Sequence, residues 1–516
     1  METEIAGSRI KASSNMARFV MICGTASHVG KSIIAAALCR LLVNSGFKVA
    51  PFKSQNMSLN SWVTRGGDEI GIAQAVQAWA AKIEPSVDMN PVLLKPKGDM
   101  ISQVILHGKP LGDRKVGEYY DSVDAIFKHV CDSLKTLARS HEIIVMEGAG
   151  SPAEINLYER DIANLRVARS VDAPIILIGD IERGGVFASL YGTVQLLPVN
   201  DRRRIKGFII NKFRGDEKLL EPGITQLEKL TGISVLGIIP YVNVRLPSED
   251  SVSLGDKSPT SNGAPDIAVI RLPHISNFTD FEPLEAVAKI RYVSLDGDFG
   301  SPDAVIIPGT KNTIDDLAAL RQSGMDKQIE ASAGTIPIIG ICGGFQMLGE
   351  TITDEGYEGT RNESKTVEGL RLLHVHTVFN SLRKVTKQVE KHVTGNGPLL
   401  DRLRNQTMRG YEIHMGTTTS DFPIFGDDGA QDDTGIILGT YLHGLFHNDN
   451  FRSVLLEYLQ TRYSQRQKGV GHTPLSRPTA SERAPHSDYN GDPFDELARV
   501  VQQHVDMEAL YSIIGL

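Results

Sequence analysis

Residues 19–32 read FVMICGTASHVGKS, and this stretch decides the fold of the first half of the chain. Its first five residues, 19–23, are apolar throughout, which is typical of a buried β-strand. A glycine-bounded turn follows, and from residue 31 to residue 44 apolar side chains recur at helical spacing. The stretch therefore predicts a strand, a tight turn and a helix whose first backbone amides face the turn.

The turn has the composition of a phosphate-binding loop. In such a loop backbone amides contact the phosphates of a nucleotide, a lysine adds positive charge, and the following hydroxyl binds magnesium. Five residues rather than the usual four separate the two glycines, so an ordinary glycine-rich turn is the alternative interpretation. The candidate nucleotide-binding residues are Gly24, Thr25, Gly30, Lys31, Ser32 and, further along the chain, Lys53.

A nucleotide site of this kind uses ATP with Mg²⁺, which needs oxygen ligands beside the phosphates. Ser32 in the loop is one candidate ligand. Glu147 ends the apolar run 143–146, at the carboxyl end of a predicted parallel strand, where α/β folds bind ligands. Asp68 precedes a helical run and is a third candidate. Both acids have a plainer alternative role near the start of a helix.

A second loop of the first half combines an acid, a base and two glycines. Residues 179–185 read GDIERGG and follow the apolar run 174–178. This composition at the end of a strand indicates a substrate-binding loop, with Asp180 and Arg183 as its candidate contacts. A salt-bridged turn is the alternative interpretation.

Short apolar runs alternate with helical stretches in both halves, which predicts two α/β domains with doubly wound parallel sheets. The first domain is predicted at 18–246 and the second at 266–516. Residues 247–265 are rich in Ser, Pro, Gly and Asp and are interpreted as a linker. The polar stretch 465–490 is interpreted as a surface insert, and 495–514 as a closing helix. The predicted strands are 19–23, 143–146, 174–178, 205–210, 235–239, 267–272, 304–307 and 336–340.

The second half contains a cysteine in the setting of a nucleophile. Residues 336–346 read IPIIGICGGFQ, which predicts a strand, a Gly-x-Cys-x-Gly turn and a helix. This is the nucleophile elbow with Cys342 in the serine position. The amide of Gly343 is placed to stabilise an oxyanion, with help from a glycine such as Gly309. A buried structural cysteine is the alternative interpretation.

A cysteine nucleophile needs a general base. His443 follows the apolar run 435–439 and is the leading candidate. Spacing alone does not choose between it and the other histidines of the second half, so these alternatives stay open: His374, His376, His414 and His447.

Bulk properties limit the classes of function. The chain has 516 residues, of which 41% are hydrophobic and 22% charged, as in ordinary globular proteins. A net charge of −8 argues against nucleic acid or a membrane surface as a partner. Four dispersed cysteines without a CxxC pair indicate a reducing compartment. Because no signal peptide or membrane-spanning segment is evident, we expect a cytoplasmic protein.

Taken together, these motifs resemble the cobyric acid synthases, the glutamine amidotransferases of cobalamin biosynthesis. The resemblance extends over nearly the whole chain and is carried by residues 24–32, 52–60, 147–157, 180–188, 340–349, 410–416 and 439–446. It implies a first domain similar to dethiobiotin synthetase and a second similar to class I glutamine amidotransferases. It places the family's nucleophile on Cys342 and its catalytic histidine on His443. Leu445 stands where the usual class I site has an acid, and Phe345 and Glu182 stand where tyrosine and aspartate are expected.

The resemblance implies a reaction with L-glutamine, ATP, magnesium and a corrinoid. The b, d, e and g side-chain carboxylates of adenosylcobyrinic acid a,c-diamide would become amides, each at the expense of one glutamine and one ATP. The related a,c-diamide synthases are an alternative, since they amidate other carboxylates of the same ring. A regulatory or partitioning ATPase with an inactive amidotransferase-like domain is an alternative from another class.

Overall fold

The computed structural model describes residues 17–98, 100–242, 246–247, 265–358, 364–381, 384–469 and 492–516, with main chain only over 463–469. Most of the predicted linker 247–265 lies outside the described residues. So does the predicted insert 465–490, apart from 465–469, which continue a helix. Within the described residues, no helix combines the length and apolar character that crossing a membrane requires.

The first half contains a parallel sheet of six strands. Its order is β12-β11-β10-β1-β9-β2, and every neighbouring pair runs parallel. The elements are β1 Arg18–Gly24, α1 Lys31–Asn44, β2 Val49–Phe52, β3 Gln55–Met57, β4 Ser61–Val63, β5 Glu69–Gly71, α2 Ile72–Ala80, β6 Val92–Gly98, β7 Ile101–Leu106, β8 Lys109–Lys115, α3 Val116–Asp121, α4 Val123–Ala138, β9 Ile143–Glu147, α5 Leu165–Ser170, β10 Ile175–Asp180, α6 Val186–Leu196, α7 Val199–Arg202, β11 Ile205–Phe213, α8 Glu221–Thr231 and β12 Val235–Pro240.

The second half contains another six-stranded sheet, in the order β14-β13-β15-β16-β24-β23. All pairs are parallel except the edge pair β23–β24. The elements are β13 Asp266–Arg271, α9 Glu282–Glu285, β14 Lys289–Ser294, β15 Ala304–Ile307, α10 Thr313–Ser323, α11 Met325–Ser332, β16 Ile338–Ile341, α12 Gly343–Leu348, β17 Thr351–Glu355, β18 Ser364–Glu368, β19 His376–Phe379, β20 Val385–His392, β21 Thr407–His414, β22 Thr417–Thr419, β23 Ala430–Gln431, β24 Ile437–Thr440, α13 Asp449–Gly469, α14 Pro493–His504 and α15 Met507–Ile514.

The first sheet is covered on both faces, as its apolar strands predict. Successive residues of β1 point to opposite faces, so Met21 and Cys23 enter one core while Val20 and Ile22 enter another. A strand buried on both faces has no polar alternation, which is why residues 19–23 read as a continuous apolar run. The predicted doubly wound α/β fold is therefore confirmed.

Several smaller sheets and hairpins, paired mainly in antiparallel fashion, were not predicted. The first half adds a sheet in the order β3-β6-β7-β8 and the hairpin β4–β5, and the second adds the hairpin β20–β21 and a sheet β18-β17-β19-β22. β3, β4 and β5 have three residues each, too few for alternation to stand out from chance.

The closing segment departs from its predicted place in two ways. Instead of one helix over 495–514 there are two, because Val505 is extended and pairs with Gly237, while Asp506 caps α15. Both helices pack on the first domain rather than the second. Their buried side chains join the core of α1 and the first sheet: Leu497, Ala498, Val501, Leu510 and Ile514. The predicted second domain 266–516 therefore includes two helices, α14 and α15, that pack in the core of the first domain.

The two domains meet where the hairpin β4–β5 packs against the hairpin β20–β21. The Trp62 and Tyr411 rings are 4.9 Å apart, and the Gln388 amide donates to the Val63 carbonyl at 2.9 Å. Just before β4, the Asn60 side chain accepts from the Phe278 amide at 3.0 Å. These contacts bring the first domain against the residues that surround Cys342.

Candidate active sites

Cys342 lies at a sharp turn between β16 and α12. Its backbone has φ 52° and ψ −107°, a conformation that a nucleophile elbow imposes on its central residue. Glycines make the turn sterically possible, since a Cβ on Gly344 would lie 2.0 Å from the Ile307 carbonyl oxygen. The Cys342 side chain is 7% exposed, and its thiol lies 3.5 Å from the Ile413 carbonyl oxygen. The thiol lines a pocket rather than the packed core alone.

His443 is the histidine that the structure brings to this thiol. Its ring stacks on Tyr411, with 5.2 Å between the centroids, and its Nε2 lies 3.5 Å from Asn277 Nδ2. Its Nδ1 is 2.7 Å from a carboxylate oxygen of Asp280. Burial favours the neutral ring, but Asp280 and then Cys342 outweigh it and raise the pKa of His443 to about 10.

The other candidate histidines have different surroundings. His414 also lines the pocket, but its ring stacks on Tyr441 and its Nδ1 faces the Gly416 carbonyl at 3.1 Å. His374 and His376 are exposed beside Glu350. His447 lies near the carbonyl of Thr279 rather than beside the thiol.

Asp280 supplies the acid that the sequence lacks two residues after His443. Position 445 is a buried leucine, whereas Asp280 lies 163 residues upstream in the 3₁₀ turn Phe278–Phe281. Its second oxygen accepts from the Gly444 amide at 2.9 Å, so the carboxylate holds both the ring and its backbone. The sequence analysis missed this residue, although a polar segment after a predicted parallel strand was the available signal.

Of the two glycines predicted to form an oxyanion site, Gly343 directly follows Cys342 and Gly309 lies beside His443. A Cβ on Gly343 would lie 3.1 Å from the Thr310 amide nitrogen, so these two backbone segments are in close contact. A Cβ on Gly309 would lie 3.3 Å from Cε1 of His443. The backbone of residues 309 and 310 therefore adjoins both Gly343 and His443, an arrangement compatible with the predicted oxyanion site.

The phosphate loop of the first domain is closed by Lys31. Its Nζ donates to the Ala26 carbonyl at 2.8 Å and to the Gly150 carbonyl at 3.1 Å, joining the loops after β1 and β9. Gly30 has φ 100° and precedes α1, and a Cβ there would lie 2.1 Å from Asn211 Nδ2. The Thr25 amide donates to Ile178, which fixes Gly24 and Thr25 against β10.

Glu147 is the centre of a buried polar cluster beside this loop. One carboxylate oxygen accepts from Ser32 Oγ at 2.8 Å and from Lys53 Nζ at 2.9 Å, and the other accepts from Gln77 Nε2 at 2.5 Å. A buried carboxylate beside a loop hydroxyl fits a magnesium ion next to nucleotide phosphates. The described residues contain no group of three or more His, Cys, Asp or Glu side chains suited to a metal.

Asp68 lies apart from this pair. Its carboxylate is 2.7 Å from Lys109 Nζ, and the adjoining Gly67 faces the Thr386 carbonyl of the second domain. Ser32 and Glu147 therefore lie together beside the phosphate loop, whereas the hairpin β4–β5 carries Asp68 towards the domain interface.

The predicted substrate loop forms a salt-bridged turn. Asp180 accepts from the Glu182 amide at 2.8 Å and pairs with Lys212 at 2.8 Å. Arg183 is exposed, and Glu182 is 3.4 Å from Arg214. The turn follows β10, next to β1, so it lies at the same sheet edge as the phosphate loop.

Comparison with known proteins assigns both halves of the chain. Residues 20–253 match the family described as the CobQ/CobB/MinD/ParA nucleotide binding domain, and residues 266–451 match the CobB/CobQ-like glutamine amidotransferase domain. A protein of Methanosarcina acetivorans named probable cobyric acid synthase is 57% identical over 96% of this chain and 99% of its own length. The chain belongs to the cobyric acid synthase family. A relative with the same name from Methanococcoides burtonii is 56% identical over 97% of both chains.

These matches confirm the family resemblance, the two domain types and the class of enzyme, a glutamine-dependent amide ligase. Among solved structures, the chain is similar to PurLQS from Thermotoga maritima at 20% identity, with a TM-score of 0.31 over 38% of this chain and 99% of that one.

Proposed function

We propose that this enzyme converts the b, d, e and g side-chain carboxylates of adenosylcobyrinic acid a,c-diamide to amides, with nitrogen from glutamine and energy from ATP. The observation that carries the chemistry is the group Cys342, His443 and Asp280, whose thiol lines a pocket that residues of both domains form. The names of the relatives support the choice of a corrinoid substrate.

The glutaminase half follows from the geometry of the group. Asp280 accepts the Nδ1 proton of His443, which leaves Nε2 as the atom that exchanges protons with the thiol and substrate. The thiolate of Cys342 attacks the side-chain carboxamide carbon, and the tetrahedral oxygen receives hydrogen bonds from backbone amides beside Gly343. His443 protonates the departing nitrogen, ammonia leaves, and water then cleaves the thioester to glutamate.

The synthetase half uses the phosphate loop. A corrinoid carboxylate attacks the γ-phosphorus of ATP, ADP leaves, and ammonia displaces phosphate from the resulting acyl phosphate. Lys31 and Lys53 are the cations that face the transferring phosphoryl charge. When bound at Ser32 and Glu147, Mg²⁺ supplies further neutralisation of that charge. Lys53 and Gln77 hold the Glu147 carboxylate in place for this role.

Buried polar side chains on α2, beside the phosphate site, support direct passage of ammonia. Only neutral ammonia is a nucleophile, so a route that avoids bulk water and its protons favours the reaction. Gln77, which bonds to Glu147, lies one turn from Gln74 on α2, and Gln74 accepts from Asn56 at 3.1 Å. Within the described residues Gln74 Nε2 and Gln77 Oε1 have no hydrogen-bond partner, which leaves both atoms available to a small polar molecule.

Mass spectrometry of the corrinoid product tests the proposal. Each amidation replaces a hydroxyl by an amino group and lowers the mass by about one mass unit, so four successive losses are expected from the a,c-diamide with ATP and glutamine. If the enzyme instead amidates cobyrinic acid at two positions and leaves the a,c-diamide unchanged, it is an a,c-diamide synthase. Release of no glutamate from glutamine under any of these conditions would favour the regulatory ATPase.

A further inference from the structure

The pocket beside Cys342 carries more positive than negative charge. Side chains of both domains line it, and those that bear charge are Lys95, Lys311, Lys384 and Glu358. Glutamine enters this pocket as a zwitterion, with an α-carboxylate and an α-ammonium group as well as the amide that Cys342 attacks.

Lys95 and Lys384 already have a partner. Both pair with the buried carboxylate of Glu69, Lys95 at 2.7 Å through one oxygen and Lys384 through the other. Burial opposes ionisation of Glu69, but Lys384 and Lys95 hold its pKa well below the usual range. A neighbouring lysine, Lys97, is likewise paired at 2.7 Å with Asp113.

Lys311 differs from these three lysines. Within the part of the chain that the structure describes, its ammonium group has neither an ion pair nor a hydrogen bond to a side chain. Burial, followed by repulsion from Lys384, Lys97 and Lys95, lowers the pKa of Lys311 well below its ordinary value. An unpaired cation in such a setting is costly, and a bound carboxylate would relieve the cost.

Glu358 lies close to Lys311 along the pocket wall. Its carboxylate accepts hydrogen bonds from the backbone amides of Thr313, at 2.6 Å, and Ile314, at 3.3 Å. These two residues begin α10, and Thr313 follows Lys311 by two positions in the chain. It is buried, and burial raises the pKa of Glu358 to about 7. A cation bound beside it would favour the ionised form.

We propose, on the basis of the function proposed above, that Lys311 binds the α-carboxylate of glutamine and that Glu358 binds its α-ammonium group. The two residues are then the specificity determinants of the glutaminase site. They also explain why Cys342 does not hydrolyse the product. The side chains of the amidated corrinoid end in the same carboxamide group as glutamine, but they lack the α-carboxylate and α-ammonium groups. A site that depends on both charges rejects these side chains.

Hydrolysis of truncated glutamines tests each residue separately. 4-Aminobutyramide lacks the α-carboxylate, and glutaramate lacks the α-amino group. Lys311→Met should lower kcat/KM for glutamine about tenfold to a hundredfold, mainly through KM, with kcat/KM for 4-aminobutyramide unchanged. Glu358→Gln should lower kcat/KM for glutamine by a similar factor and leave that for glutaramate unchanged.

Two controls keep the outcome interpretable. Lys311→Arg should restore part of the affinity for glutamine, and Lys109→Met, which removes an exposed lysine outside the pocket, should leave all three substrates unaffected. Amidation with added ammonia should persist in every variant, which reports an intact fold.

Three results would overturn the inference or its basis. Equal losses of kcat/KM for glutamine and 4-aminobutyramide in Lys311→Met would rule out a carboxylate-specific role while the proposed function stands. An unchanged KM for glutamine would do the same. If the wild-type enzyme hydrolyses no glutamine, the proposed function fails, and the inference fails with it.

Discussion

The glutaminase site and the phosphate site are assembled in different ways. The phosphate site comes from one domain, where the loops after β1 and β9 meet and the Glu147 carboxylate is held by Ser32, Lys53 and Gln77. The glutaminase site joins residues from three separate parts of the second domain, Asp280, Cys342 and His443, and it is also contacted by the first domain.

This difference suggests that the glutaminase reaction is sensitive to the position of the first domain, whereas the phosphate site is self-contained. Asn60 accepts from the Phe278 amide and the Ser61 amide donates to Asn277 at 2.9 Å. Phe278 belongs to the turn that carries Asp280, and Asn277 touches the His443 ring. Substitutions in either site therefore provide ways to separate the two reactions.

The largest expected effect is that of Cys342→Ser. Because the nucleophile is lost, glutamate formation and glutamine-dependent amidation should fall by about 10⁴-fold or more. Amidation supported by ammonium salts at alkaline pH should remain, since the phosphate site is in the other domain. Loss of both activities in a folded variant would contradict the separation of the two sites.

Lys31→Ala is expected to have the opposite pattern. It removes the charge that faces the transferring phosphoryl group, so amidation with glutamine or ammonia should fall about 10³-fold or more. Glutamate release in the absence of ATP should change little. If Lys31→Ala spares amidation, the assignment of the phosphate loop is wrong.

Much of this comparison could be predicted from the sequence, because its signals are local. Continuous apolar runs predicted five of the six strands of the first sheet and three of the six strands of the second. The loop 24–32 and the turn around Cys342 each lie within one strand–helix connection. The family resemblance indicated His443 as the catalytic histidine, a choice that spacing alone did not make among the five candidate histidines.

What the sequence did not predict depends on distant contacts. Asp280 and His443 are 163 residues apart, and no local pattern connects them. The amphipathic pattern of α14 and α15 predicts helices but does not indicate which domain they pack on. They pack on the first domain because the apolar face of α1 contacts them and because Arg40 pairs with Asp492 at 2.7 Å. The sequence also did not predict the position of Asp68, which the hairpin β4–β5 places beside Lys109.

Asp280→Asn should have an intermediate effect confined to glutamine. The amide cannot stabilise the imidazolium and favours the wrong ring tautomer, so kcat for glutaminase should fall about 10²-fold.

Asp280→Asn should also lower the free energy of unfolding in a pH-dependent way. The His443 pKa is raised from 6.5 to about 10, so the stabilisation is fully present below pH 6.5 and is lost as pH rises through about 10.

The difference in unfolding free energy between wild type and Asp280→Asn should therefore be largest below pH 6.5 and shrink towards pH 10. Urea titrations over this range measure it, and Asp492→Asn serves as a control because that acid is partly exposed and pairs with Arg40. A pH-independent difference would show that Asp280 does not stabilise the charged ring.

Asn60→Ala tests the contact between the domains. It leaves the Phe278 amide without its acceptor, which costs about 1–3 kcal/mol and loosens the turn that holds Asp280. Glutaminase kcat should fall about tenfold, a loss equivalent to roughly 1.4 kcal/mol. Gln388→Ala is the matched control, since it removes another interdomain hydrogen bond that does not involve this turn. Equal effects of the two would assign the loss to general loosening of the interface.

The smallest effect should come from Asp68→Asn, measured against Glu147→Gln. Glu147 is buried between Ser32 and Lys53, so removing its charge should raise the Mg²⁺ concentration needed for half-maximal amidation about tenfold or more. Asp68 pairs with the exposed Lys109, and exposed pairs contribute little, so Asp68→Asn should leave this concentration unchanged within about twofold. Ammonia-supported amidation is the assay to use, because it excludes changes in glutamine hydrolysis. A large shift in Asp68→Asn would mean that the hairpin β4–β5 moves towards the phosphate loop when nucleotide binds, and the phosphate site would then depend on the domain interface as the glutaminase site does.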